Sequence, residues 1–251
     1  MAIFSGDIFA ENYTVSSSVT NVQISSVSGS TKAGDSGDDT HQFTGSLFVS
    51  GSRIELDDGN DNVAISTEGV ALTSAVQNIL IGRDSGDALT SGGRNVAVGV
   101  STLSTATTAT MNVAIGQSAM ENVASGVALE GAIGIGKDAL QSVNHANANN
   151  TIAIGYQAGK AITSGPANIA IGWSAGLAMT TNSSNTIIGY GAFRAADAGE
   201  DNNVVIGLDA GAAINHANSD DNVLIGYQAG YGGANSLRQS VAIGSNALDA
   251  T

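Results

Sequence analysis

The chain has 251 residues, one proline, no cysteine and a net charge of −14. The lack of cysteine excludes a disulfide framework and a thiolate zinc site, and the acidic charge argues against nucleic acid and anionic membranes as partners. Glycine occupies 33 positions and aromatic residues make up only 4%, which favours thin stacked coils over a thick enzyme core. No stretch reaches the roughly 20 apolar residues that span a bilayer, so we expect no membrane insertion.

Residues 1–61 lack the repeat that fills the rest of the chain, and we predict that they form a separate N-terminal region. The segment 15–39 is rich in Ser, Thr, Gly and Asp, which indicates a linker or an extended arm. The segment 41–56 alternates apolar and polar residues and predicts one or two short strands. The chain begins without the basic and apolar segments of a secretory signal, so we expect a protein made in the cytosol.

A repeat of about eighteen residues starts at Asn62 and runs to the end of the chain. Its motif is N-[V/I]-x-[V/I]-G-x-x-[A/S/T], as in NVAIGQSA from Asn112 and NIAIGWSA from Asn168, and the first repeat is degenerate. A short fixed period predicts a solenoid in which each repeat is one coil. We therefore predict that residues 62–251 form an all-β, parallel β-roll or β-solenoid of about eleven coils, roughly 50 Å long at about 4.8 Å per coil.

The three residues before each motif glycine predict a short strand whose side chains alternate between two faces. We expect the outer two, almost always Val or Ile, to fill the coil interior. The middle residue should then face outward, yet it is never polar, and a strand that is apolar on both faces is buried on both. This predicts a contact column in a closed cyclic homo-oligomer, the alternative being a small-residue surface that a monomer tolerates. The predicted interface column comprises Ala97, Ala114, Ala153, Ala170, Ile187, Val205, Leu224 and Ala242.

Two other columns of the repeat have a structural interpretation. Asn opens eight of the eleven repeats, where its side chain can bond the backbone and stack as an amide ladder. Three residues after the motif glycine a small side chain recurs, such as Ala119 and Ala139. That column predicts a second short strand packed close under the first.

The repeats NVAIGQSA, NIAIGWSA and SVAIGSNA resemble the coil motif in the head domain of trimeric autotransporter adhesins. This resemblance covers residues 62–248 and implies left-handed parallel β-rolls, three of which associate around a common axis. Glycine-rich repeats behind a short non-repetitive N-terminus also resemble fibre and decoration proteins of tailed bacteriophages. The second resemblance fits the two ends of the chain better, and it implies a virion protein whose N-terminal region is the attachment point.

From these resemblances we predict a structural virion protein, a homotrimeric fibre or spike that other virion proteins hold through residues 1–61. The alternatives are a capsid decoration or head fibre that never touches a host receptor, and a bacterial trimeric adhesin head. We expect no enzyme activity and no cofactor. Acidic residues are scattered over turns rather than paired, and no G-x-S-x-G nucleophile motif occurs.

The residue after each motif glycine varies, and we expect it to point outward. It is a large aromatic residue at Tyr156, Trp173, Tyr190 and Tyr227. The first three are 17 residues apart on consecutive coils, which predicts a ladder with about 5 Å per step. Exposed aromatic strips bind sugar rings, so one interpretation is a surface that recognises a host glycan. The other is that the ladder covers a neighbouring subunit or stabilises adjacent coils.

Two further features suggest sites but have simpler explanations. His145 and His216 each lie nine residues after a motif glycine, in matching loops. We expect these histidines to shape the loops, because a metal site needs further ligands nearby. The acidic run at 57–61 offers oxygen ligands for calcium, but it lacks the spacing of an EF-hand, so we expect a solvated turn.

Overall fold

A computed structural model of the chain describes residues 59–66, 72–232 and 236–249. The chain divides into two units, Met1–Ile54 and Glu55–Thr251, and every described residue belongs to the second. The predicted arm at 15–39 and the predicted strands at 41–56 lie outside the described residues. The predicted boundary at residue 61 therefore stays a prediction.

Eleven short strands form one parallel sheet in which each strand pairs with its neighbours in chain order. The strands are β1 (Val63–Ile65), β2 (Ile79–Ile81), β3 (Val96–Val98), β4 (Val113–Ile115), β5 (Ile133–Ile135), β6 (Ile152–Ile154), β7 (Ile169–Ile171), β8 (Thr186–Ile188), β9 (Val204–Ile206), β10 (Val223–Ile225) and β11 (Val241–Ile243). Pairing is in register, so that Ala97 lies opposite Ala114 on the next coil. One parallel strand per repeat confirms the all-β solenoid, and its left-handedness stays a prediction.

The described part of the chain contains only one short 3-10 helix, Ala146–Ala148, besides these strands. No helix within it is long and apolar enough to cross a membrane. The rest of each coil consists of turns.

The structure shows the opposite of the prediction about which strand residues face the coil interior. The middle residue of each strand from β2 onward points into the coil and is buried within a single chain, whereas the outer Val and Ile residues are half-buried or exposed. The predicted interface column is therefore wrong, because its side chains are covered by their own chain and cannot reach a second one. These residues, each at most 3% exposed, are Ala97, Ala114, Ala153, Ala170, Ile187, Val205, Leu224 and Ala242.

The narrow interior of each coil explains why small residues occupy this column. The residue six positions after the middle one lies on the opposite wall, so a Cβ added at Gly86 would be 2.8 Å from Cδ2 of Leu80. The next coil exchanges the two sizes, with Ala97 followed six residues later by Leu103, and both are fully buried. In these two coils a large residue on one wall is matched by a small residue on the other, which keeps the interior filled.

The motif glycines are required by their backbone conformation and by the close approach of the next coil. Gly207 has a φ of +139°, which residues with a Cβ rarely adopt. A Cβ at this position would lie 2.2 Å from the carbonyl oxygen of Gly226. The next coil likewise leaves no room for a Cβ at the other motif glycines, except at Gly244.

The wall opposite the sheet is buried as predicted, but it forms turns instead of a second strand. Ala119 has 0% exposure, and its neighbours Ser118 and Met120 have φ values of +58° and +51°. Such left-handed residues interrupt the extended backbone of a strand. Coils still bond to each other here, since the backbone N–H of Met120 donates to the carbonyl oxygen of Ala139 at 3.0 Å.

The motif asparagines form the predicted amide ladder. The backbone N–H and Nδ2 of Asn78 both donate to Oδ1 of Asn62, at 2.9 and 3.0 Å. Nδ2 of Asn78 also donates to the carbonyl oxygen of Gly92 at 3.1 Å, which ties the strand to the next turn. The same side-chain bonds recur in two runs, which are Asn62, Asn78, Asn95 and Asn112, and then Asn168, Asn185, Asn203 and Asn222.

Candidate interaction surfaces

The outer face of the sheet is an apolar surface made by the two outer residues of each strand. Two positions on each of eleven strands make 22, and all are Val or Ile except Thr186. Along most of the sheet these side chains are half-buried. Several of its side chains are more exposed, among them Ile79 at 42%, Ile115 at 36% and Ile188 at 37%. At about 4.8 Å between strands, this Val/Ile face measures about 50 by 10 Å, or roughly 500 Å², as large as the largest apolar patch on a typical monomer.

The Val/Ile face is the surface that the sequence prediction assigns to the interior. A signal for its true side is nevertheless present in the sequence. The two outer columns are β-branched almost without exception, whereas the middle column varies from Gly134 to Leu80. A column that varies in size and is compensated on the opposite wall belongs to a packed core, and a uniform column belongs to a regular outer surface.

Tyr156, Trp173 and Tyr190 form an aromatic stack beside the Val/Ile face. Adjacent ring centroids are 5.9 and 4.6 Å apart, with interplanar angles of 13° and 8°. The backbone register produces this stacking, because the N–H groups of Ser174 and Gly191 donate to the carbonyl oxygens of Tyr156 and Trp173, both at 2.8 Å. The stack predicted from the 17-residue spacing is therefore present, and its recognition of a ligand stays a prediction.

Tyr227, the fourth aromatic residue of this column, lies apart from the stack. Leu208 holds the equivalent position on the coil between Tyr190 and Tyr227. Together these residues make an apolar ridge over five consecutive coils, and each is between 40 and 51% exposed. The ridge consists of Tyr156, Trp173, Tyr190, Leu208 and Tyr227. On earlier coils the same column contains Arg83, Val100, Gln117 and Lys137.

The stacking limits the chemistry that the ridge can perform. Both faces of the Trp173 ring are occupied, one by Tyr156 and the other by Tyr190. A sugar ring that stacks on an aromatic residue needs a free ring face. The ridge instead offers ring edges, which carry partial positive charge, together with phenol hydroxyls and leucine methyl groups. These groups suit contact with another protein surface better than a stacked saccharide.

His145 and His216 cap turns in their loops. Nδ1 of His145 accepts a hydrogen bond from the backbone N–H of Asn147 at 3.1 Å, at the start of the 3-10 helix. Nδ1 of His216 accepts from the backbone N–H of Asn218 at 3.4 Å. The expected role of both histidines in shaping loops is confirmed. Within residues 59–66, 72–232 and 236–249, no group of three or more His, Cys, Asp or Glu side chains is placed to hold a metal ion.

The acidic run at 57–61 is described only in part, since Asp57 and Asp58 lie outside the described residues. Asp61 has a φ of +58°, and its carboxylate accepts a hydrogen bond from Nε2 of Gln77 at 3.4 Å. This places Asp61 in a turn beside the next coil. Calcium binding by the run and its alternative, a solvated turn, both stay predictions.

Glu200 is a fully buried carboxyl group in the turn before β9. Nδ2 of Asn182 donates to its Oε2 at 2.6 Å, and Oε1 has no hydrogen-bond partner among the described residues. Burial raises the pKa of this carboxyl above its ordinary value, although the bond from Asn182 opposes the shift. The repeat pattern carries no signal for this site, because Glu200 lies in a variable turn outside the motif.

These features define the chain as a parallel β-solenoid with a continuous apolar outer face. Comparison with protein-family models, with curated proteins and with solved structures finds no match. The function is therefore argued from the surfaces of the solenoid.

Proposed function

We propose that the protein is a structural virion component, a homotrimeric fibre or spike of a tailed bacteriophage. In this trimer the Val/Ile faces of three chains pack together around a common axis, and residues 1–61 attach the assembly to other virion proteins. The Val/Ile face carries the proposal, because it is a continuous apolar surface along all eleven strands.

The area of the Val/Ile face is large enough to contribute substantially to an assembled state. Removing roughly 500 Å² of apolar surface per chain from water contributes about 12 kcal/mol at about 25 cal/mol per Å². The loss of translational and rotational freedom costs about 4–15 kcal/mol. The Val/Ile face contains no charged residue, so the net charge of −14 is carried elsewhere on each chain and does not lie within the contact.

The number of chains and the virion role rest on the resemblances of the sequence. Repeats similar to those of trimeric adhesin heads support three chains around an axis. The non-repetitive residues 1–61 before a long repeat support attachment through that segment. The solenoid also suits a stiff projection, since successive coils are joined by backbone hydrogen bonds and, in most repeats, by the asparagine ladder.

Sedimentation or light scattering of the full-length protein tests the trimer. We expect three chains per particle, and we expect Ile135→Asp to dissociate it, because the substitution places a carboxylate in the middle of the Val/Ile face. Ala128→Asp is the matched control, since Ala128 is exposed in a turn away from the sheet. A monomeric unaltered chain would contradict the proposal, as would equal dissociation by both substitutions.

A capsid decoration that never touches a host receptor is the second candidate. The aromatic stack favours it, because both faces of the Trp173 ring are occupied and this ring offers no face to a host glycan. Virions that carry Tyr156→Ala, Trp173→Ala and Tyr190→Ala together separate the two roles. Unchanged adsorption to host cells is the result expected of a decoration protein. Lost adsorption by virions that still carry the trimer is the result expected of a receptor-binding fibre.

A further inference from the structure

The geometry points to the apolar ridge as a second part of the contact between chains. In this arrangement the ridge of one chain packs against the opposite edge of the Val/Ile face on the next chain. The inference rests on the proposed trimer. It identifies the side chains at the edge of the contact, and it places the tightest packing in the half of the solenoid that contains β6 to β10.

The ridge and the Val/Ile face belong to one surface. Each ridge residue lies two positions after the last strand residue, as Tyr190 does after Ile188. At the other edge, the equivalent place is two positions before the first strand residue, as Ser184 is before Thr186. A cyclic trimer uses a heterologous contact, so one edge of each chain meets the other edge of its neighbour. Tyr190 and Ser184 lie on the same coil and would meet at one level of the trimer.

The area of the contact also favours inclusion of the ridge. A standard interface buries about 800 Å² per partner, which is more than the roughly 500 Å² of the Val/Ile face. The ridge side chains are 40 to 51% exposed. With about 200 Å² for a large side chain, they add about 80–100 Å² each and roughly 450 Å² together. The face and the ridge combined therefore reach the size that a stable assembly needs.

The opposite edge is complementary to the ridge in size and chemistry. Its residues are smaller than those of the ridge and leave room for them, and the side-chain oxygen atoms of all but Ala167 suit aromatic ring edges and phenol hydroxyls. On the coils of β2 and β3 this match is absent, because Arg83 would face the equally long Gln77, and Val100 would face Arg94. The exposed residues of the opposite edge, in the order of the ridge coils, are Asn150, Ala167, Ser184, Asn202 and Asp221.

The aromatic stack orders the ridge side chains before a second chain binds. Tyr156, Trp173 and Tyr190 hold one another in fixed orientations within a single chain. Side chains that are already ordered lose less conformational freedom when a partner covers them. The stack therefore lowers the cost of association and keeps the ring edges aligned toward the neighbouring chain.

Fluorescence of Trp173 tests the inference directly, because it is the only tryptophan in the chain. The side chain is 44% exposed in one chain. In the full-length trimer we expect emission at shorter wavelength and several-fold weaker quenching by acrylamide than in the dissociated Ile135→Asp variant. The Ala128→Asp control should keep the protected emission of the trimer.

A disulfide test provides an independent readout, since the chain has no cysteine. Tyr190→Cys combined with Ser184→Cys should give covalently linked trimers on oxidation. Either substitution alone should give none, because the heterologous contact brings different edges together. Within one chain the two positions lie at opposite ends of β8 (Thr186–Ile188), whose three extended residues separate them by about 10 Å, beyond the Cα separation of about 7 Å that a disulfide permits.

Three outcomes separate this inference from the proposed function. Protected Trp173 and cross-linked trimers support both. A trimer with fully quenchable Trp173 and no cross-links overturns the inference and leaves the proposed trimer intact. A monomeric unaltered chain overturns both.

Discussion

Replacement of Gly207 with alanine should destabilise the solenoid more than the same change at Gly244. The two glycines have similar φ values, +139° and +124°. A Cβ at Gly207 would lie 2.2 Å from the carbonyl oxygen of Gly226, whereas a Cβ at Gly244 would meet nothing within 4 Å. Backbone strain of about 1–3 kcal/mol applies to both variants. Displacement of the next coil adds about 1–3 kcal/mol at Gly207 alone, so we expect a total loss there of about 2–6 kcal/mol.

Chemical denaturation at one chain concentration measures these losses, with far-UV circular dichroism and Trp173 fluorescence as probes. Two probes are needed because the terminal coil with Gly244 can unfold locally, which circular dichroism detects and Trp173 does not. Gly126→Ala supplies an interior control, since Gly126 has a φ of +78° and a Cβ there would meet nothing within 4 Å. Equal losses at Gly207, Gly126 and Gly244 would refute the role of the close approach between coils.

Two further predictions concern the core. Leu80→Ala should leave a cavity that costs about 2–5 kcal/mol, and Gly86→Leu should overpack the same site by about 1–3 kcal/mol. The double variant reproduces the Ala97 and Leu103 pair of the next coil. Its loss in free energy of unfolding should therefore be at least about 1 kcal/mol smaller than the sum of the two single losses. Strictly additive losses in this double-mutant cycle would contradict the idea that the two side chains share one volume. Burial raises the pKa of Glu200. The contribution of this carboxyl to the free energy of unfolding is therefore present below the ordinary pKa of a glutamate, and it is lost as pH rises through the raised pKa. Denaturation midpoints across the acid range should therefore fall with rising pH in the unaltered chain relative to Glu200→Gln, and parallel pH profiles would show that this carboxyl does not titrate differently in the folded protein.

The stacking of the coils was predictable from the sequence, because each column of the repeat makes the same contact from coil to coil. Asn78 bonds to Asn62 in the same way as Asn95 bonds to Asn78. The 17-residue spacing likewise predicts the stack of Tyr156 on Trp173. Such contacts depend only on the period and on residue identity, and both are visible in the sequence.

The sides of the strands and the shape of the opposite wall do not follow from the period of the repeat alone. Alternation of side chains predicts two faces but does not say which one is inside. Met120 and Phe193 adopt positive φ values of +51° and +53°, although bulky residues disfavour this conformation. Both are fully buried, so packing of the side chain in the interior overrides the local preference of the backbone. Glu200 depends on a single variable turn and leaves no trace in the period.

The two apolar surfaces of each strand obey different constraints, and this difference links the fold to the proposed assembly. The interior can compensate a change of size within one coil, as the exchange between Leu80 with Gly86 and Ala97 with Leu103 shows. An outer face has no opposite wall in its own chain, so a partner at a fixed distance would require the same shape in every coil. The only exception on the Val/Ile face, Thr186, keeps the β-branched shape of valine. The uniform β-branched shape along the outer face therefore fits the proposed assembly of identical chains through this face.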